Sequence, residues 1–187
     1  MATYDTLPDG TPVPVLALFG ESGITLSGVV PDDAAKERLR TLALANAKPG
    51  QDHVEDFVVI SPAVPRSVGV RVIELTSVRF PEASDDVLPA HALELDRAVA
   101  ILNALPNVTV LVIGHGDQGG DPLISQDLSR RRANAVSNYF VFAGISPMRL
   151  SARAVGDADL LALGDDPAAL ELNRRTEFVF YGLLVGP

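Results

Sequence analysis

The residues whose types and spacing suit chemistry gather in NVTVLVIGHGDQGGDPLISQDLSRRRANAV, Asn107 to Val136. An apolar run stops there at a glycine-rich loop, and a helix-like stretch follows. Gly114, Gly116 and Gly119 satisfy G-x-G-x-x-G, a spacing that lets backbone N–H groups cradle a dinucleotide pyrophosphate. The charges oppose that reading. Asp117 lies inside the motif and Asp121 just after it, where a pyrophosphate would approach. No acid falls between Asp127 and Asp157 to hold ribose hydroxyls. The nucleotide reading is rejected. His115, Asp117 and Asp121 make a poor metal set without a distant partner cluster. A strand-end histidine that hydrogen-bonds a neighbouring loop accounts better for His115. No Ser-His-Asp or paired-carboxylate arrangement stands out, so no catalytic residue, metal or cofactor is assigned; a hydrolase using His115 and Asp117 stays as a rival.

Asp117 lies just beyond the C-terminal edge of that strand, where open α/β sheets present their ligand sites. Arg132 comes fifteen residues later, four after Leu128 and eight after Ile124, so the three share one helical face. That face is the packed one, and Arg130 and Arg131 point elsewhere, into solvent. An inward arginine needs an anionic partner. Two readings stand. Either Arg132 and Asp117 form an internal salt bridge that pins the loop, or together they receive a zwitterion, its ammonium on Asp117 and its carboxylate on Arg132.

The elements that must position these groups follow from periodicity and breakers. The stretch SPAVPRSVG, Ser61 to Gly69, is rich in proline, serine and glycine and reads as a linker, giving units 1–66 and 67–187. Before it, GITLSGVV alternates as a strand, Asp32 or Asp33 caps a helix, and Ala35, Leu39, Leu42 and Asn46 form its inner stripe. Lys48-Pro49-Gly50 stops that helix, and DFVVI is a further strand. After the linker, VGVRVIELTSVRF is strand-like with a kink around Leu75 to Ser77. Next come a helix in PAHALELDRAVAILNAL and the strand VTVLVI, apolar on both faces and therefore central. A second helix runs from about Leu123 to Ala143, with Leu128, Val136, Tyr139 or Phe140, and Ala143 inward; Gly144 ends it. The strands RLSARAVG and RRTEFVFYGLL flank a short helix. This order predicts an α/β sandwich, helices packed against a mixed sheet. If alternation holds, Arg174 shares a face with Thr176, Phe178 and Phe180 and lines the mouth of the site; the alternative is pairing with Asp157 or Asp159.

Composition narrows the function. Of 187 residues, 47% are hydrophobic and 21% charged, as in a globular protein. A formal charge of −9, with Lys36 and Lys48 as the sole lysines, argues against nucleic acid and gives little polybasic attraction for anionic lipid. The absence of cysteine excludes disulfides and thiolate chemistry. VPVLALFG is too short to span a membrane, and MATYDTLPDGTP lacks the basic head and apolar middle of a signal peptide. Either the protein stays inside the cell, or the chain is a soluble fragment whose leader or anchor was removed.

VIGHGDQGGDPLISQDLSRRRANAV resembles the OmpA-like peptidoglycan-binding domain, whose pattern is G-H-T-D, a glycine, an Asn, then L-S-x-x-R-A-x-x-V. Here Gly114-His115-Gly116-Asp117, Leu128-Ser129, Arg132-Ala133 and Val136 follow it without a gap. The likeness extends to SVRFPEASDDVLP, to Gly144–Asp157 and to NRRTEF, Asn173–Phe178, covering about Val70 to Gly182. The resemblance implies a βαβαβ(α)β sandwich that holds the wall non-covalently through the diaminopimelate of the stem peptide. Asp117 would grip its ammonium and Arg132 its carboxylate, with Ser125, Leu128 and Arg174 around them. It also implies a place in the cell envelope or a periplasm-like space. Two positions depart: the family's Thr is Gly116, and its Asn is Ser125. A bound peptide would lose one or two hydrogen bonds, each worth about 0.5–1.5 kcal/mol. Binding is then weaker than the family norm or tuned to a modified peptide; loss of binding would leave a protein–protein module. GITLSGVVPDDAAKERLRTLA, with Val54 to Val59, resembles a BON domain, which implies contact with phospholipid or an envelope protein.

Overall fold

The computed structural model describes residues 15–64, 69–74, 78–118 and 120–185. Seven strands form one mixed sheet in the order β3-β2-β1-β4-β7-β5-β6. They are β1 Val15–Phe19, β2 Gly23–Val30, β3 His53–Ile60, β4 Gly69–Glu74, β5 Thr109–Gly114, β6 Leu150–Ala154 and β7 Thr176–Tyr181. The helices are α1 Asp33–Ala45, α2 Ala92–Ala104, α3 Pro122–Phe142 and α4 Pro167–Asn173. A mixed sheet with helices packed on it is the α/β sandwich that the periodicities require. From β4 onward the order is strand–helix–strand–helix–strand–helix–strand, as read from the sequence.

The sheet runs across the proposed division at residue 66. β1 pairs antiparallel with β2 and parallel with β4, so the N-terminal strands extend the β4-β7-β5-β6 group at its β4 edge. β2 and β3 are parallel, joined through α1. VPVLALFG, weighed in the sequence only as a membrane segment, contributes β1: its short run of apolar residues is buried on both sheet faces. The kink at Leu75 to Ser77, Pro65–Val68 of the linker, and Gly119 lie outside the described residues.

One core joins the sheet to α1, α2 and α3, through Ala35 and Leu39, Leu95 and Leu102, and Val136 and Phe140. β5 lies between β7 and β6 and is buried on both faces, as its two-sided apolarity requires: Val110 and Val112 meet the helices, whereas Leu111 and Ile113 join Val179 on the reverse. Helix ends obey the local chemistry. Asp32 caps α1 by accepting from the Ala35 N–H at 2.8 Å. Asp121 does the same for Leu123 at the start of α3. Gly144, at φ 92°, closes α3 in the left-handed region. Ala143 is exposed rather than inward, because the last turn of α3 runs past the sheet.

Candidate functional site

The glycine loop is shaped by packing. A Cβ at Gly114 would overlap the carbonyl oxygen of Ser129, so the end of β5 and the second turn of α3 meet backbone to backbone. Ser129, wholly buried, donates to the Gln126 carbonyl and accepts from the Gly156 N–H at 3.1 Å. This contact brings Arg132 under the turn that follows Phe80. Ile124, placed on the same face by spacing, is 66% exposed instead. It lies in the first turn of α3, where no element covers it.

Arg132 is fully buried. Its Nε donates to the Ser84 carbonyl at 2.9 Å, Nη1 to His115 at 3.1 Å and Nη2 to Pro81 at 3.2 Å. The guanidinium carbon stands 5.3 Å from the centre of the Phe80 ring, a cation–π distance. Among the described residues, no carboxylate is in ion-pair contact with it. Burial pulls its pKa down to about 10; Asp117 pulls the other way and Arg174 adds to the fall. It therefore stays charged at neutral pH, hydrogen-bonded only to backbone carbonyls.

The internal Arg132–Asp117 bridge is thus not formed. Asp117 pairs with Arg174, Nη1 to Oδ2 at 3.1 Å, and Arg174 also donates to the Phe80 carbonyl at 3.3 Å. The Asp117 side chain remains 30% exposed. Arg174 takes neither Asp157 nor Asp159; it faces the loop. It also lines a cavity of about 400 Å³ beside Phe80, Pro81 and Glu171. Asp117 is thus paired with Arg174 and acts on Arg132 only through space. Arg130 and Arg131 are solvated and pair with Asp127.

Ser125 and Leu128 are buried. Ser125 Oγ has no hydrogen-bond partner, and a Cβ added at Gly116 would overlap it. The two departures from the family pattern are therefore neighbours in space, a relation that sequence spacing does not reveal. Leu128 lies one helical turn before Arg132 on α3.

Beneath the loop, on the sheet face away from the long helices, lies a polar cluster that the sequence reading missed. Arg71 Nε donates to Glu177 Oε2 at 2.8 Å and Arg175 Nε to Glu177 Oε1 at 2.7 Å, while Arg71 also pairs with Asp159. His115 is wholly buried; its Nδ1 faces the Asp159 carbonyl at 3.2 Å and its Nε2 lies 3.5 Å from Glu177. This is the neighbouring-loop contact expected for a strand-end histidine. Burial lowers the His115 pKa and keeps the ring neutral, so it is no accessible base for a hydrolase. Burial alone raises the Glu177 carboxyl, but the surrounding His115, Arg175 and Arg71 outweigh it and hold it well below its usual range. With His115 neutral, the standing charge responsible is that of the two guanidiniums. His115, Asp159 and Glu177 are close enough to share a metal ion, yet Arg71 and Arg175 already neutralise both carboxylates. His115, Asp117 and Asp121 do not converge: one is buried, one is paired with Arg174 and one caps α3. The signal for this cluster was the alternation of Arg175, Glu177 and Val179 on one face of β7.

The β4-β7-β5-β6 sheet, with an aspartate at the tip of β5 and an arginine on the following helix, defines an α/β domain of the OmpA type. The chain belongs to the OmpA family, whose model matches residues 79–174, just over half of its length. It is 35% identical over 95 residues to the peptidoglycan-associated lipoprotein of Haemophilus influenzae, covering 51% of this chain and 62% of that one. The peptidoglycan-associated lipoprotein of Rhizobium meliloti is 29% identical over 153 residues, 82% of this chain and 77% of that one. The crystal structure of the peptidoglycan-associated lipoprotein from Burkholderia pseudomallei is similar with a TM-score of 0.54 at 27% identity, over 55% of this chain and 87% of that one. The chain spans about three-fifths of the first curated relatives that it matches. Among the described residues, no helix is long and apolar enough to cross a membrane.

Proposed function

We propose that the chain is a non-catalytic module of the cell envelope that binds peptidoglycan through the diaminopimelate of its stem peptide. Asp117 receives the ammonium and Arg132 the carboxylate; Arg174 orients Asp117, and Leu128 and Ser125 border the ligand. The observation that carries this reading is Arg132, a buried guanidinium with carbonyl partners only. A carboxylate that replaces the Pro81 and Ser84 carbonyls gives it the counter-charge it lacks. The turn over it holds Ala83 at φ 52°, a left-handed conformation costly for alanine, so displacing that turn would release strain. Matches to peptidoglycan-associated lipoproteins support the same reading. The N-terminal strands with α1 act as a BON-like adaptor toward phospholipid or an envelope protein.

A second reading is a protein–protein module of the same fold. It is favoured by the full burial of Arg132 and by Asp117 already holding Arg174. Co-sedimentation with purified sacculi separates the two. Asp117→Asn leaves the buried Arg132 contacts intact but removes the ammonium's partner. Loss of one charged partner costs about 2–5 kcal/mol, so retention falls more than about tenfold. Equal retention of wild type and Asp117→Asn leaves only the second reading.

A further inference from the structure

β3 ends the sheet, paired in parallel with β2 alone among the described strands. Along a strand, successive residues turn their N–H and C=O toward opposite edges. The Ser61 N–H donates to the Val30 carbonyl at 2.8 Å, so the odd-numbered residues of β3 face β2, and Val54, Asp56, Val58 and Ile60 face outward. A row of outward peptide groups is a template for another strand. At Val58 both groups are already taken by side chains. Its N–H donates to Asp56 Oδ1 at 3.0 Å, and its carbonyl accepts from Lys36 Nζ of α1 at 2.8 Å. Lys36 and Asp56 also pair with each other at 3.3 Å, which completes a clasp over the edge. Lys36 is one of only two lysines in the chain. On the opposite face of β3, Phe57 is 64% and Val59 61% exposed.

We propose that the β3 edge is a self-association surface on which β3 of a second copy of this chain pairs antiparallel, and that the Lys36–Asp56 clasp over Val58 keeps it closed. The order of side chains along the edge selects a second copy. With Val58 opposite the partner's Val58, the two exchange both N–H···O=C bonds, through the very groups that the clasp occupies. Phe57 then stands across from the partner's Val59, twice over by the two-fold symmetry. Asp56 stands across from the partner's Ile60 and Glu55 across from the partner's Ser61. Each exposed apolar side chain gains an apolar neighbour, and no like charges face each other. Pairing must first break the two clasp hydrogen bonds at Val58, which is what holds the edge shut. None of the wall-binding residues lies in β3 or α1, so the two readings stand or fall separately.

The test is sedimentation velocity of the whole chain across the micromolar range, at physiological salt to screen the charge of −9 on each copy. The wild type is expected to remain a monomer. Lys36→Met with Asp56→Ala opens the edge and keeps the lysine stem. This variant is expected to dimerise at least about tenfold more tightly than wild type, because two hydrogen bonds no longer have to break first. Adding Ile60→Pro to it is expected to abolish the dimer. The proline deletes an outward N–H that meets the partner's Asp56 and leaves the ladder to β2 intact. Circular dichroism checks the fold of each protein; if the double variant unfolds, Lys36→Met alone decides, with about threefold tightening expected. A wild type that is already dimeric, an opened edge that associates no more tightly, or a dimer that survives Ile60→Pro overturns the proposal.

Discussion

Gly116 and Ser125 show what a single contact decides. The serine hydroxyl is buried without a partner, and the glycine leaves room for it. Gly116→Ala brings a methyl onto that oxygen and is expected to destabilise by about 1–3 kcal/mol, the usual cost of overpacking. Ser125→Ala deletes an unsatisfied hydroxyl and is expected to be neutral or mildly stabilising. In the double variant the overlap is gone, so the losses do not add, with a coupling of at least about 0.5 kcal/mol. Urea unfolding of the four proteins measures it; additive values would mean that the two positions do not touch. Arg132 was legible as an inward residue from its distance to Leu128. Its partners were not, because the Pro81 and Ser84 carbonyls lie 51 and 48 residues away and carry no side-chain signature. Asp117 was legible as an acid just beyond the strand edge, but its pairing with Arg174 spans 57 residues.

At the scale of elements, the junction of β5 and α3 positions Asp117 and Arg132. Gly114→Ala places a methyl against the Ser129 carbonyl, and neither backbone can yield without lifting the helix from the strand. The expected loss is about 3 kcal/mol or more, at the upper end of overpacking, read as a fall in the midpoint of urea unfolding. Because α3 carries Arg132, the proposed sacculus binding is expected to fall with it. A variant as stable as wild type would show that α3 does not approach β5 so closely. The helical spacing of α2 and α3 and the unbroken apolar run of β5 made these elements readable, and Asp121, weighed as a metal ligand, proved to be the cap that starts α3. β1 was not readable as a strand because a five-residue apolar run by itself does not tell a buried strand from a buried helix segment, whereas β5 is placed by the helix patterns on either side of it. Ile124 misled because helical spacing records direction but not whether a neighbour exists on that side.

At the scale of the whole molecule, the sheet buries an ionic cluster whose protonation is tied to folding. His115 is neutral when folded, its pKa lowered by burial from an ordinary 6.5. As the pH falls through ~6.5 the unfolded chain takes up a proton there that the folded chain refuses, so stability drops with acidity. Glu177 acts in the same direction at lower pH: held ionised below its ordinary 4.5, its contribution is complete above that value and is lost as the pH falls toward its folded pKa. Tm is therefore expected to decline below pH ~6.5 and more steeply below ~4.5. Each group adds a slope of at most about 1.4 kcal/mol per pH unit. His91, lowered chiefly by its partial burial, adds to the upper limb. His115→Gln is expected to lower Tm at neutral pH and to flatten that limb by one histidine's share, since glutamine does not titrate. Differential scanning calorimetry of both proteins across this range reads the slopes. An upper limb unchanged by the substitution would mean that His115 accepts its proton in the folded protein. The cluster beside Arg71, Arg175 and Glu177 would then be open to water, with the sheet failing to seal the ground beneath the Asp117 loop.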